Sequence, residues 1–203
     1  MEIKRIHQVL GIAMLIPLLL WSLTGIFFLI KPGYEGAYQK ISPKFYDIET
    51  AFTIVPEKGW SEIRLMRSVL GYHLLVNADG QWQHLDPNTL KPRSAPETAE
   101  LNILLTDAIS KDIERYGSII QISDNTAYTN TGVEISLDWS SLTLRQQGKD
   151  TQFIRLLYRI HYMEWLDNPS SNKVLGALAI TMLLTLSAAG FIIYIKGRNY
   201  ANG

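Results

Sequence analysis

The sequence predicts a membrane protein of the α+β class, with one spanning helix near each end and a polar domain of antiparallel strands and helices between them. Two long charge-free apolar runs carry the membrane part, and a middle segment of alternating strand-like and helix-like patterns carries the domain. The bulk composition hides this contrast, since 19 Lys and Arg balance 19 Asp and Glu. The expected division is residues 1–31 for the N-terminal segment and first spanning helix, 32–170 for the domain, and 171–203 for the second spanning helix and tail.

Val9 to Ile30 contains no charged residue and is dominated by Leu, Ile, Phe, Val and Met; Val174 to Ile195 repeats the pattern. At 1.5 Å per residue, roughly 22 helical residues extend about 33 Å, enough to cross a hydrocarbon core of about 30 Å. A cleaved signal peptide has a shorter apolar core, and Lys31-Pro32-Gly33 stands where a small-residue cleavage site would be. The first run is therefore expected to stay attached as an anchor. Lys4 and Arg5 precede it, and Lys196 and Arg198 follow the second run, which places both termini in the cytoplasm and the domain outside. Lys31, Lys40, Lys44 and Lys173 lie on the loop side, but a loop this long is translocated largely regardless of its charge.

Within the domain, Ile63 to Leu70 and Tyr72 to Asn77 read as strands, and Asp79-Gly80 turns the second into Gln81 to Leu85. Asp86-Pro87-Asn88 closes that hairpin. From Glu97 to Arg115, Leu101, Ile103, Leu104, Leu105, Ala108, Ile109 and Ile113 recur at helical spacing. A second hairpin is expected from Gly132 to Trp139 and Leu142 to Arg145, then a helix from Phe153 to Trp165. Asn168-Pro169 reads as a turn or the start of the last helix.

Several chemistries are excluded. The chain has no cysteine, so disulfides, thiolate metal ligands, cysteine-ligated iron–sulfur clusters and covalent c-type haem attachment are ruled out. It has no phosphate-cradling glycine loop, nucleophile elbow or metalloprotease His-Glu pair. Its basic residues form no run interleaved with aromatics, which argues against nucleic acid.

Four histidines remain. His7 stands at the mouth of the first spanning helix and His161 about a dozen residues before the second. Their ordinary reading is interfacial: His7 beside Lys4 and Arg5, His161 among Tyr158, Tyr162 and Trp165. Their functional reading is ligation, because histidine is uncommon at spanning segments and neutral imidazole is a good axial ligand for iron. His73 and His84 fall on neighbouring strands, as cross-strand neighbours or solvated residues, and are read as structural. Gly11, Ser22, Thr24, Gly25, Gly176, Ala177, Thr185 and Ser187 to Gly190 are small residues that let helices, or a flat macrocycle, approach closely.

Arg5-Ile6-His7-Gln8-Val9-Leu10-Gly11 leading to Leu23-Thr24-Gly25, then Tyr72 to Asp86, then Ile160-His161 ahead of Ser187 to Gly190, together resemble the PepSY-associated transmembrane proteins. The two-helix, cysteine-free architecture is similar to the VciB-type ferric reductases of the bacterial inner membrane. Asp86-Pro87-Asn88-Thr89-Leu90 stands in place of the terminal glycine of the usual PepSY repeat. The resemblance implies a periplasmic PepSY-like domain, haem b held by His7 and His161, and outward electron flow that reduces Fe(III) to Fe(II) for iron uptake, with a ferrous iron transporter as partner.

Two histidines on opposite faces of the bilayer cannot share one iron within a protomer, and two helices cannot surround a haem. A homodimer, giving a four-helix bundle, is therefore expected, with a His7 pair at one level and a His161 pair at the other; a single haem at either level is the alternative. Ferric iron or its chelate is expected to dock near Glu164 and Asp167, hard oxygen donors, with Tyr158 and Tyr162 shaping the approach. The electron donor is open. The competing function is a non-enzymatic membrane accessory whose domain binds a peptide, a protease or a transporter.

Overall fold

The computed structural model describes residues 2–201 of the chain. In chain order the elements are α1 (Glu2–Ile30), α2 (Tyr34–Ala37), β1 (Trp60–Ser68), β2 (Gly71–Ala78), β3 (Gln81–Leu85), α3 (Thr98–Ile109), α4 (Ile113–Tyr116), β4 (Ile119–Ser123), β5 (Thr126–Thr129), β6 (Glu134–Asp138), β7 (Thr143–Gln147), α5 (Lys149–His161) and α6 (Pro169–Ala201). They form two compact units: a helical one from the N-terminal segment to Gly33 and from Phe153 onward, and a domain from Tyr34 to Gln152. The membrane α+β architecture read from the sequence is the one observed.

In the helical unit, α1 and α6 are each long and apolar enough to cross a membrane. They pack against each other, with Met14 of α1 and Ala179 and Ala189 of α6 among the buried residues. A Cβ added at Gly11 would lie 3.8 Å from the Leu186 side chain, ordinary van der Waals contact, so α6 approaches α1 here through a side chain. Only 11% of the apolar window of each helix is buried, so most of that surface faces lipid or another chain. Asn168 accepts the amides of Ser170 and Ser171 at 2.8 and 3.4 Å, and Pro169 opens α6 at the position where its missing N–H is harmless.

The domain holds two antiparallel sheets, β1-β2-β3 and β4-β5-β6-β7. The Asp79-Gly80 turn forms as expected, both residues taking positive φ (51° and 82°), which suits a tight hairpin. Asp86 Oδ1 accepts the amides of Asn88 and Thr89, both at 2.9 Å, and ends the hairpin. β2 is buried on both faces: Leu74 and Val76 join one cluster with Leu85, while Leu75 joins the main core. The main core is built on α3, whose Leu101, Leu104, Leu105, Ala108 and Ile109 pack with Ala127, Ile135, Leu137 and Leu144. Leu104 is fully buried, and Leu104→Ala is expected to cost about 2–5 kcal/mol of stability, read as a lower urea midpoint of the tertiary signal.

Two expectations need correction. The helix predicted from Glu97 to Arg115 ends at Ile109. Ser110 turns its hydroxyl back onto the Asp107 carbonyl, and Asp112 starts the short α4 by capping the Arg115 amide at 3.0 Å. The helix predicted from Phe153 to Trp165 runs from Lys149 to His161. Met163 takes φ 56°, its amide reaches Ile160 and the Glu164 amide reaches the Arg159 carbonyl, a Schellman closure made here with methionine in place of glycine. The second hairpin forms as expected from β6 and β7, and β4 and β5 pair ahead of it through a turn at Asp124-Asn125 to extend it into a four-stranded meander.

Candidate functional site

His7 and His161 each meet one polar partner, in both cases through Nδ1. His7 Nδ1 lies 3.1 Å from the Leu186 carbonyl of α6. A carbonyl only accepts, so His7 carries its proton on Nδ1 and donates there. The ring lies against Gly190, where an added Cβ would come 3.0 Å from His7 Cε1. A glycine at this position leaves room for the Cε1 edge of the imidazole beside α6, where the ring shares a carbonyl already engaged in the helix.

His161 is brought to α1 by the last turns of α5. Tyr158 stacks on Phe28 at 4.5 Å, and the His161 ring meets the same Phe28 edge-on at 5.1 Å. Its Nδ1 lies 2.8 Å from Thr24 Oγ1. That hydroxyl has one hydrogen and sits 2.6 Å from the Leu20 carbonyl, which takes it. Thr24 therefore accepts from His161, and the proton again sits on Nδ1. In both rings Nδ1 is the engaged nitrogen, and Nε2 meets no hydrogen-bond partner among the described residues. Ligating histidines adopt this arrangement: one nitrogen donates to a fixed acceptor, which sets tautomer and ring orientation and leaves the other free to bind.

The two rings do not meet. His161 is at the level of Thr24, which is 17 residues along α1 from His7, an axial separation of about 26 Å. Glu164 and Asp167 lie exposed in the turn between α5 and α6. Among the described residues no group of three or more His, Cys, Asp or Glu side chains converges on a metal-sized space.

His73 and His84 are not solvated. They are 0% and 5% exposed, and since His84 is registered against Leu75, His73 is its diagonal neighbour. His84 Nδ1 donates to the Trp139 carbonyl at 2.8 Å, which leaves its Nε2 to accept from His73 Nδ1 at 2.9 Å. His73 Nε2 then accepts from the Ser68 hydroxyl at 2.6 Å, and Ser68 accepts the Leu70 amide. All four ring nitrogens are thus committed to one chain of hydrogen bonds between two neutral imidazoles. Burial, then the Arg93 charge and His84, push His73 down to about 3; burial, with Arg93 adding to it against the Trp139 carbonyl, pushes His84 down to about 4. Arg93 is held beside them by the Tyr72 and Leu70 carbonyls, and the Trp139 indole donates to the Arg93 carbonyl at 3.0 Å. This is a structural network with no lone pair left for a ligand.

A family model described as the PepSY-associated TM region matches residues 3–197. The chain belongs to the PepSY-associated TM family. No curated protein and no solved structure matches it. As a PepSY-associated TM protein, it is a membrane protein whose two terminal helices bracket the domain.

Sequence reasoning singled out His7 and His161 but not their acceptors. Thr24 and Gly190 stood out only as small residues, and nothing in the sequence signals the Leu186 carbonyl.

Proposed function

We propose that this PepSY-associated TM protein is a haem-dependent ferric reductase of the bacterial inner membrane, passing electrons outward to reduce Fe(III) to Fe(II) for uptake. The observation that supports this reading is the shared Nδ1–H arrangement of His7 and His161, which leaves each Nε2 as a free imidazole donor at a membrane-spanning helix. The donor set fits haem b, which when bound supplies the one-electron iron couple that cysteine-free protein chemistry lacks.

His7 and His161 would hold it, at two levels of the bilayer. Each protomer gives one imidazole per level, so two-fold pairing completes the ligand sets in a four-helix bundle. Leu186, Gly190 and Thr24 orient the imidazoles and fix their tautomer. Glu164 and Asp167, exposed next to the His161 end, provide the oxygen donors at which ferric iron docks as substrate. A ferrous iron transporter would take the product.

The decisive experiment is a visible spectrum of detergent-purified protein before and after dithionite, with haem quantified per chain. A reduced α-band that bleaches on adding ferric citrate is expected. A protein without a Soret band, even after expression with added haem, would overturn the proposal. Two substitutions probe the acceptors. Thr24→Val keeps shape but removes the hydroxyl, and is expected to weaken haem retention at that level about 10–100-fold. Gly190→Ala drives a methyl against the His7 ring and is expected to perturb only the other level, read by the low-spin electron paramagnetic resonance signals of the two haems.

The accessory reading has an observation of its own. A cleft of about 730 Å³ runs beside the edge strand β7, lined by Ile41, Pro43, Phe45, Met66 and Leu142, and could take an extended peptide. A colourless protein would leave this as the better reading.

A further inference from the structure

The C-terminal half of α5 carries an apolar stripe that the described residues cover only in part, Phe153 and Leu156 standing exposed and Leu157 and Ile160 half-buried. Phe153, Leu156, Leu157 and Ile160 fall at i, i+3, i+4 and i+7, and Phe153 and Leu156 are 52% and 50% exposed. The opposite side of the helix is already used: Ile154 is buried, Tyr158 stacks on Phe28, and His161 bonds Thr24. Arg155 and Arg159, one turn apart, occupy a third, polar side. A helix divided this way into an apolar face, a cationic flank and a packed face has the make-up of one that lies in a membrane interface.

Depth along α1 supports the same placement. Thr24 lies six residues short of Ile30, so His161 reaches about 9 Å below the end of α1, close to the 5–10 Å to which interfacial helices bury their apolar faces. The stripe is continuous with the lipid-facing surface of the spanning helices, because Phe153 meets Phe27 edge-on at 5.6 Å. Tyr162 and Trp165, both exposed, follow in the turn, the residue types that populate the headgroup level.

We infer that residues 153–165 form an interfacial anchor that binds lipid. Its apolar stripe rests on acyl chains of the leaflet holding the C-terminal end of α1, and Arg155 and Arg159 lie at the level of the lipid phosphates. The packed face thereby holds His161 at a fixed depth against α1, with lipid excluding water from the other side. The inference does not depend on haem.

The chain has no native cysteine, so single labels can be placed without background. Nitroxide-labelled Leu156→Cys and Ile160→Cys full-length proteins, reconstituted in phosphatidylcholine–phosphatidylglycerol vesicles, would be compared with Leu19→Cys as the lipid reference and Ile120→Cys as the water reference. The ratio of oxygen to nickel-chelate collisions at positions 156 and 160 is expected to match position 19 and to exceed position 120 several-fold. A ratio matching position 120 at both sites would overturn the anchor. Spin–spin broadening at both sites, lost on dilution with unlabelled protein, would overturn it in favour of a second copy of the chain as the occupant.

Discussion

His161→Ala and His7→Ala are each expected to remove about half of the haem from a protein that carries a centre at both levels. The two losses should be separable, because the imidazoles are about 26 Å apart along α1 and share no partner. Each variant should retain the reduced spectrum of the other level, and each should slow bleaching by ferric citrate, since outward transfer would use both centres. His73→Ala is the contrasting control. It leaves the Ser68 hydroxyl and His84 Nε2 without their partner inside the core, at a cost of about 2–4 kcal/mol, yet haem per folded chain should be unchanged. Full haem retention in both His7→Ala and His161→Ala would remove the ligand assignment.

Acidification is expected to unfold the domain well before its carboxylates titrate. Burial holds His73 and His84 neutral, at about 3 and about 4, whereas in the unfolded chain both take up protons near 6.5. Between those limits the unfolded state binds more protons than the folded one, so stability rises with pH. The contribution is fully present above about pH 6.5 and is lost as the pH falls toward 4. At roughly 1.4 kcal/mol per unit and histidine, the loss at pH 5 is on the order of 2–4 kcal/mol, a large share of a typical domain's stability. Trp139, whose ring lies 4.0 Å from His84, reports the event by fluorescence in urea titrations across pH 4.5 to 7.5, a range bracketing the ordinary histidine value of about 6.5. The midpoint should fall steeply below pH 6.5. His84→Gln, which cannot charge, should flatten that limb; an unchanged slope would mean the imidazoles are not the titrating groups.

The sequence was most informative where one short-range rule decides the outcome. Charge-free runs of spanning length announced α1 and α6, and Asp79-Gly80 announced its hairpin, because each depends only on adjacent residues. It was least informative where the signal was brief or came from elsewhere. β5 is four residues long with no flanking glycine, too short for alternation to register, and it exists because β4 and β6 supply its hydrogen bonds. The apolar pattern runs on to Trp165, past the end of α5 at His161, because the closure is made by backbone amides around a methionine at positive φ.

Hydrophobic periodicity and run length are local properties of the chain, and they suffice to announce the two membrane-spanning helices and the α+β domain between them. The sequence also divided the four histidines into two candidate ligands, His7 and His161, and two structural residues, His73 and His84, without naming the partners of any of them. That His73 and His84 spend every nitrogen on each other and on the core, while His7 and His161 each engage one, emerges from folding. The physical reason is that an imidazole's chemistry is set by what its two nitrogens meet. Those partners, a carbonyl 179 residues away and a hydroxyl 137 residues away, are assigned by folding.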